Sequence, residues 1–410
     1  MSTAQGDLDS ADPQRRYLTP DLIRGVAMLL LVLTNTPLIL STVRYQQATG
    51  FNPIHGSFWD DLAAIIFVAV PPMAGMGLFV LAMGQSLVSA SRGRSAYQAA
   101  LVRFGVLGAV GLVHGLLIWW GDILMYYMIA GFIALQFRGF GPRAQALLGI
   151  SFVFLPLILT ASDFSAQLWG VKAETRAALA QLSSGLQSTQ SAAQEAYTSG
   201  APFEIAAQRI VDWLSYLQDF ALVGVPQLTG VLLIGVGIAR LRERLNSESG
   251  RRLSRTAVFK WVLSIAAAGY LCQLAVQILE PANPGLLSSF SSNLQVAVPP
   301  ILAVGFFLLL IERESALESN RLARWVAVSG RYSLSIYLFT SLFCASLAYG
   351  FQLFGSVPFG VVQVVAMGIL VATVAVANCF AKASIQGPAE WMVRRITVNL
   401  CTKLQTGEGK

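Results

Sequence analysis

The chain contains two histidines, His55 and His114, and each has carboxylates nearby in sequence: Asp60 and Asp61 follow His55, and Asp122 follows His114 by about two helical turns. Imidazole is the side chain best suited to moving a proton near neutral pH. A carboxylate beside it can hold the ring in one orientation, as the third member of a catalytic triad does. Asn35 falls late in the first long apolar run and offers an uncharged amide donor for a developing oxyanion. Each of these has a structural alternative, a bond to a neighbouring helix. The two rings compete for the role of base, and the residues alone do not choose between them.

The elements that must position these groups are apolar helices. The composition is 55% hydrophobic and 12% charged, with a mean hydropathy of +0.61. Soluble domains carry roughly 25% charge. The sequence predicts an all-α polytopic membrane protein with about ten transmembrane helices, at 22–41, 62–84, 102–120, 123–137, 144–161, 220–239, 258–279, 294–311, 332–351 and 359–381. With the N-terminus inside, all of the 28 Lys and Arg except Arg44, Lys172, Arg176 and Arg209 fall on the cytoplasmic side. This positive-inside bias places both termini in the cytoplasm. The net charge of +7 is therefore a matter of topology, and no nucleic acid partner is expected. Both histidines then lie toward the outer face, where an unpaired His is costly unless it is functional.

The predicted organisation is a disordered N-terminus at 1–17, helices at 18–161, an extracytoplasmic helical insertion at 162–219, further helices at 220–381 and a cytoplasmic tail at 382–410. Thr19, Pro20 and Asp21 read as a helix start, with Arg24 one turn on and able to pair with Asp21. Pro71 and Pro72 bend or break the second span. Trp119 and Trp120 read as an interfacial aromatic pair. In the insertion, Phe203, Ala206, Ile210, Leu214 and Leu217 recur at helical spacing, as on a helix that lies on the membrane or caps the bundle. Ser333, Tyr337 and Ser341 form a hydroxyl stripe of the kind that bonds a neighbouring helix. The cysteines, Cys272, Cys344, Cys379 and Cys401, show no metal spacing and read as small core residues. No metal is called for.

Four blocks together resemble the bacterial YeiB-like family (domain of unknown function 418). They are Leu18–Gly25, Val113–Trp119 with Gly121–Leu124, Gly330–Leu338, and Gln386–Arg395. The YeiB-like proteins are in turn similar to transmembrane acyltransferases such as the heparan-α-glucosaminide N-acetyltransferases. That resemblance implies a multi-pass protein of the bacterial cytoplasmic (inner) membrane. It also implies transfer of an acyl group, acetyl in the first instance, from cytosolic acetyl-CoA or another acyl-CoA to a hydroxyl or amine of an extracytoplasmic glycan or glycolipid. The acyltransferase pattern has an Asn late in the first helix and a His in the following outer loop, places held here by Asn35 and His55; the YeiB-like pattern has His114 and Asp122.

Acyl transfer needs a base, donors for the oxyanion and a path through the helices. His55 or His114 would be the base, Asp122 or Asp60 and Asp61 would orient it, and Asn35 would face the thioester oxygen. Coenzyme A carries phosphates, which suit the guanidinium fork. Arg24, Arg92, Arg94 and Arg103 lie on the inner side and are the candidates, although the topology rule alone accounts for their placement. Membrane lipids are the expected surroundings and a homodimer the default assembly. Two other classes are open: a transporter for a small anionic or lipid-linked solute, and a lipid-binding scaffold built on 162–219.

Overall fold

A computed structural model describes residues 18–48, 57–69, 72–88, 93–168, 191–198, 201–247, 264–265, 267–272, 275 and 286–406. Among these, no strand occurs. The expectations for 1–17, for His55 and Arg92, and for most of 258–279 lie outside the described residues.

The helices are α1 (Leu18–Leu40), α2 (Val43–Ala48), α3 (Phe58–Ala69), α4 (Pro72–Leu87), α5 (Arg94–Leu117), α6 (Leu124–Gln136), α7 (Pro142–Leu168), α8 (191–198), α9 (Pro202–Leu222) and α10 (Gly224–Ser247). They continue as α11 (Leu286–Glu312), α12 (Glu314–Ser319), α13 (Arg321–Arg331), α14 (Ser333–Ala345), α15 (Phe359–Lys382) and α16 (Pro388–Thr406), with a π-helical turn at Ser346–Gly350 directly after α14. Five stretches are long and apolar enough to cross a membrane: Pro20–Leu40, Arg94–Leu117, Gly224–Leu241, Ser333–Gly350 and Phe359–Lys382. Shorter apolar helices occupy Ala74–Gly84, Leu124–Gln136, Pro142–Leu157 and Val296–Glu312. The chain is an all-α membrane protein. The second expected span is described in two pieces, α3 and α4, on either side of residues 70–71, and Pro72 takes the first position of α4, where its missing N–H costs nothing.

The core lies among α1, α4, α6, α10 and α11, around Ile23, Leu31, Leu78, Leu81, Leu228 and Phe307, all fully buried. Leu117, Leu147, Val364 and Val371 point outward instead, as lipid-facing side chains of a spanning helix do. α1 packs against α4, α13, α14 and α15. It meets α13 at a backbone-to-backbone contact: a Cβ on Gly25 would strike the Val326 carbonyl, and one on Gly330 would strike the Asp21 carbonyl. The helix start expected at Thr19 is described from Leu18, a difference within ordinary end fraying. Asp21 pairs with Arg24 at 3.4 Å and with Arg331 of α13 at 3.3 Å.

The last block of the sequence is tied into the same corner. Glu390, in the first turn of α16, accepts hydrogen bonds from the Leu334 and Ser335 amides at 2.7 and 3.1 Å and from the Ser335 hydroxyl. These amides belong to the unsatisfied first turn of α14, so the carboxylate caps that helix and complements its dipole. The blocks at Leu18–Gly25, Gly330–Leu338 and Gln386–Arg395 thus serve chiefly to lock helices together.

Candidate functional site

His114 sits one turn before the end of α5, and after Leu117 the chain turns back through Trp119, Trp120 and Gly121. Asp122 opens α6 as a capping residue: its Oδ2 accepts the Met125 amide at 2.9 Å. The turn brings its Oδ1 to 3.1 Å from His114 Nδ1, with the two side chains 1% and 0% exposed. Tyr337 of α14 completes the group. Its hydroxyl donates to Asp122 Oδ1 at 3.4 Å and accepts the Ile123 amide at 3.3 Å, and its ring lies 4.9 Å from the imidazole. The approach of Nδ1 to Asp122 is too oblique for a hydrogen bond. Both nitrogens of His114 therefore lack a hydrogen-bond partner among the described residues, although they are buried. Buried polar groups are paired in the great majority of cases, so an unpaired imidazole facing a carboxylate is a functional signature rather than a packing solution.

Glycine makes this approach possible. A Cβ at Gly111 would collide with Asp122 Oδ2, and one at Gly115 with the Trp213 indole nitrogen. Trp213 belongs to α9, which covers this end of α5. Here the sequence expectation needs correction. The stripe of Phe203, Ile210 and Leu214 is exposed, and the buried face of α9 is the one carrying Arg209, Asp212, Trp213 and Phe220. The polar groups point inward because they find partners there. Arg209 donates to the Leu117 carbonyl at 2.6 Å, satisfying an orphan carbonyl at the end of α5, and stands 5.1 Å from the Tyr349 ring. Asp212 Oδ2 accepts hydroxyls from Tyr45 at 2.7 Å and Tyr197 at 2.6 Å, and Oδ1 accepts the Gln208 amide at 3.2 Å. Arg44 donates to the Asp212 carbonyl and lies 3.7 Å over the Trp120 ring. Burial first, then Asp212, pushes the Tyr45 hydroxyl well above the usual tyrosine range. Burial, followed by Tyr349 and Asp212, does the same to Tyr197.

Trp119 and Trp120 are likewise buried within the protein, 2% and 4% exposed, not at a lipid interface. α9 and its partners cover them.

A groove of about 1460 Å³ runs between α5, α14 and α16. On α5 its lining extends from Val102 to His114 and Ile118, about 24 Å of helix at 1.5 Å per residue. The other walls include Leu338, Leu342, Met392 and Leu400, and Lys403 is the charged side chain among them. His114 is thus shared by the buried pair and the groove.

The other expected site residues fall elsewhere. Asn35 is buried on α1, and among the described residues no hydrogen bond joins it to His114 or Asp122. Asp60 is engaged structurally: Oδ1 accepts the Gly360 amide at 2.8 Å, tying α3 to the start of α15, and Oδ2 accepts the Ser57 hydroxyl at 2.8 Å. The Gly360 amide, with help from Ser57, holds the Asp60 carboxyl below its usual range. Arg24 is paired with Asp21, Arg103 is exposed and within electrostatic reach of Arg24, and Arg94 is exposed at the first position of α5. Tyr337, read from sequence as an interhelical bond, does bond another element, and that element is the Asp122 corner. Arg209, Asp212 and Trp213 carried a signal in their helical spacing with Tyr216 and Phe220, which the apolar stripe on the opposite face obscured.

The family described as protein of unknown function (DUF418) matches residues 241–399. The uncharacterized protein YeiB of Escherichia coli (strain K12) is 26% identical over 400 residues, spanning 93% of this chain and 96% of its own. The uncharacterized protein YxaH of Bacillus subtilis (strain 168) is 23% identical over 401 residues, spanning 92% and 93%. No solved structure matches the chain. His114, Asp122 and Tyr337 therefore sit in a framework shared nearly end to end with these two relatives: the chain is YeiB-like, and residues 241–399 are its match to the DUF418 family.

Proposed function

We propose that this protein is a membrane acyltransferase in which His114, oriented by Asp122, is the general base. The observation that supports this reading is the buried His114–Asp122 contact at 3.1 Å with the imidazole also lining the groove. With Nδ1 turned to the carboxylate, Nε2 is the nitrogen left to take a proton. An acceptor hydroxyl or amine attacks the carbonyl of an acyl thioester, and His114 removes the acceptor proton as the new C–O or C–N bond forms. The C–S bond then breaks, and the proton leaves with the thiolate as free thiol. Tyr337 keeps Asp122 in place through its hydroxyl and the Ile123 amide. The donor is an acyl-CoA supplied from the cytoplasm, and the acceptor is an envelope glycan or glycolipid on the side where α9 covers the pair. The bacterial inner membrane, with Arg44 and Arg209 on the outer face, is the location this reading requires.

The test uses purified full-length protein in nanodiscs with a labelled acyl-CoA. Transfer or hydrolysis of the acyl group is expected, and His114→Ala should lower it by roughly 10²–10⁴. Turnover unaffected by His114→Ala would overturn the assignment of the base. Binding without turnover in every variant would favour transport or lipid binding instead.

A further inference from the structure

We infer that the α5–α14–α16 groove is the seat of a long hydrocarbon acyl chain, delivered as an acyl thioester, with its carbonyl at His114 and its tail running along α5 toward Val102. The inference rests on the acyltransferase reading and names its substrate class. Four observations carry it. The lining is almost wholly hydrocarbon along some 24 Å of α5. The imidazole that lines it is 1% exposed and has no hydrogen-bond partner on either nitrogen among the described residues, so it presents a polar end to an otherwise apolar slot. No carboxylate lines the groove, and the Ser335 hydroxyl within it is already engaged by Glu390. Finally, Gly105 faces open space: a Cβ there meets no atom within 4 Å.

These features discriminate between occupants. The pantetheine arm of coenzyme A carries two amides, and most of this lining would leave them unpaired, at a cost of a few kcal/mol each. An acetyl group would leave the slot empty beyond the first turn. A saturated chain buries its methylenes against the walls and asks for no hydrogen bonds. Gly105 lies nine residues before His114, about 14 Å along the helix. It therefore stands beside the distal part of the chain and sets how long a chain the slot accepts. A larger side chain at this position shortens the slot without meeting other atoms at its Cβ.

The experiment uses full-length protein in nanodiscs and a palmitoyl-CoA with a diazirine near the chain terminus. After photolysis, adducts are expected on the Val102–Ala109 stretch and on α16. Gly105→Phe should lower their yield, and the ratio of palmitoyl to acetyl turnover, by roughly tenfold or more. Val364→Phe, on the outward face of α15, should leave both within about twofold. Adducts spread evenly over the outward helices, α15 included, would overturn the inference. So would a Gly105→Phe variant with an unchanged ratio, or a groove labelled only by a diazirine phospholipid. Absence of turnover with every thioester would overturn the acyltransferase reading alone, because labelling of the groove is read without turnover.

Discussion

An imidazole buried beside a carboxylate and left with two unpaired nitrogens is costly to maintain, and the surroundings of His114 show how the cost is contained. Asp122 is held by two other donors, the Met125 amide and the Tyr337 hydroxyl, so the carboxylate stays in place whatever the ring does. Asp122→Asn should therefore preserve folding and lower turnover by roughly 10² or more, by removing the charge that favours the protonated ring. An unchanged rate would show that Asp122 only caps α6. Tyr45 and Tyr197 give a second prediction at this scale. Their folded pKa values lie above the ordinary value near 10, so the folded state holds these protons more tightly than the unfolded chain. The stability they contribute is fully present below about pH 10 and is lost as pH rises above it. Unfolding midpoints measured from pH 8 upward should fall through that window, and a Tyr45→Phe, Tyr197→Phe double variant should flatten the decline. A flat wild-type profile would contradict the Asp212 cluster.

At the scale of elements, the helices were legible in the sequence, and which face each one buries was not always so. Long apolar runs predict α1, α5, α10 and α15 because a membrane helix needs little beyond length and hydrophobicity. α9 was read by the same rule and came out inverted. The rule assumes that the apolar stripe seeks protein, whereas α9 buries Arg209 and Asp212 against matched partners and leaves Phe203 and Ile210 exposed. The proximity of His114 and Asp122 was legible, since two helical turns and a Gly-containing bend separate them. The part played by Tyr337 was not, because it depends on a packing contact more than 200 residues away in the chain. Glu390 offers an elemental test. Glu390→Ala removes an ionised acceptor from the first turn of α14 and should cost about 1–2 kcal/mol. Glu390→Gln, which keeps an acceptor oxygen, should cost less. Equal effects in thermal unfolding would argue against the cap.

For the whole molecule, the charge bias and the site make one connected claim. The ends of α5 are expected on opposite sides of the membrane, with Arg94 inside and the α9 cover outside, so a donor and an acceptor can reach His114 from different compartments. In a background with the four native cysteines replaced, a cysteine at Phe203 should react with an impermeant maleimide added to intact cells, and one at Leu404 only after lysis. Labelling of both from the same side would remove the premise. The most direct measurement of the central claim is acyl transfer in sealed proteoliposomes, with labelled palmitoyl-CoA on the side of Leu404 and a glycolipid acceptor on the other. The account expects labelled acceptor to accumulate with the wild-type protein and to fall by roughly 10²–10⁴ with His114→Ala. Equal accumulation in the two would contradict it.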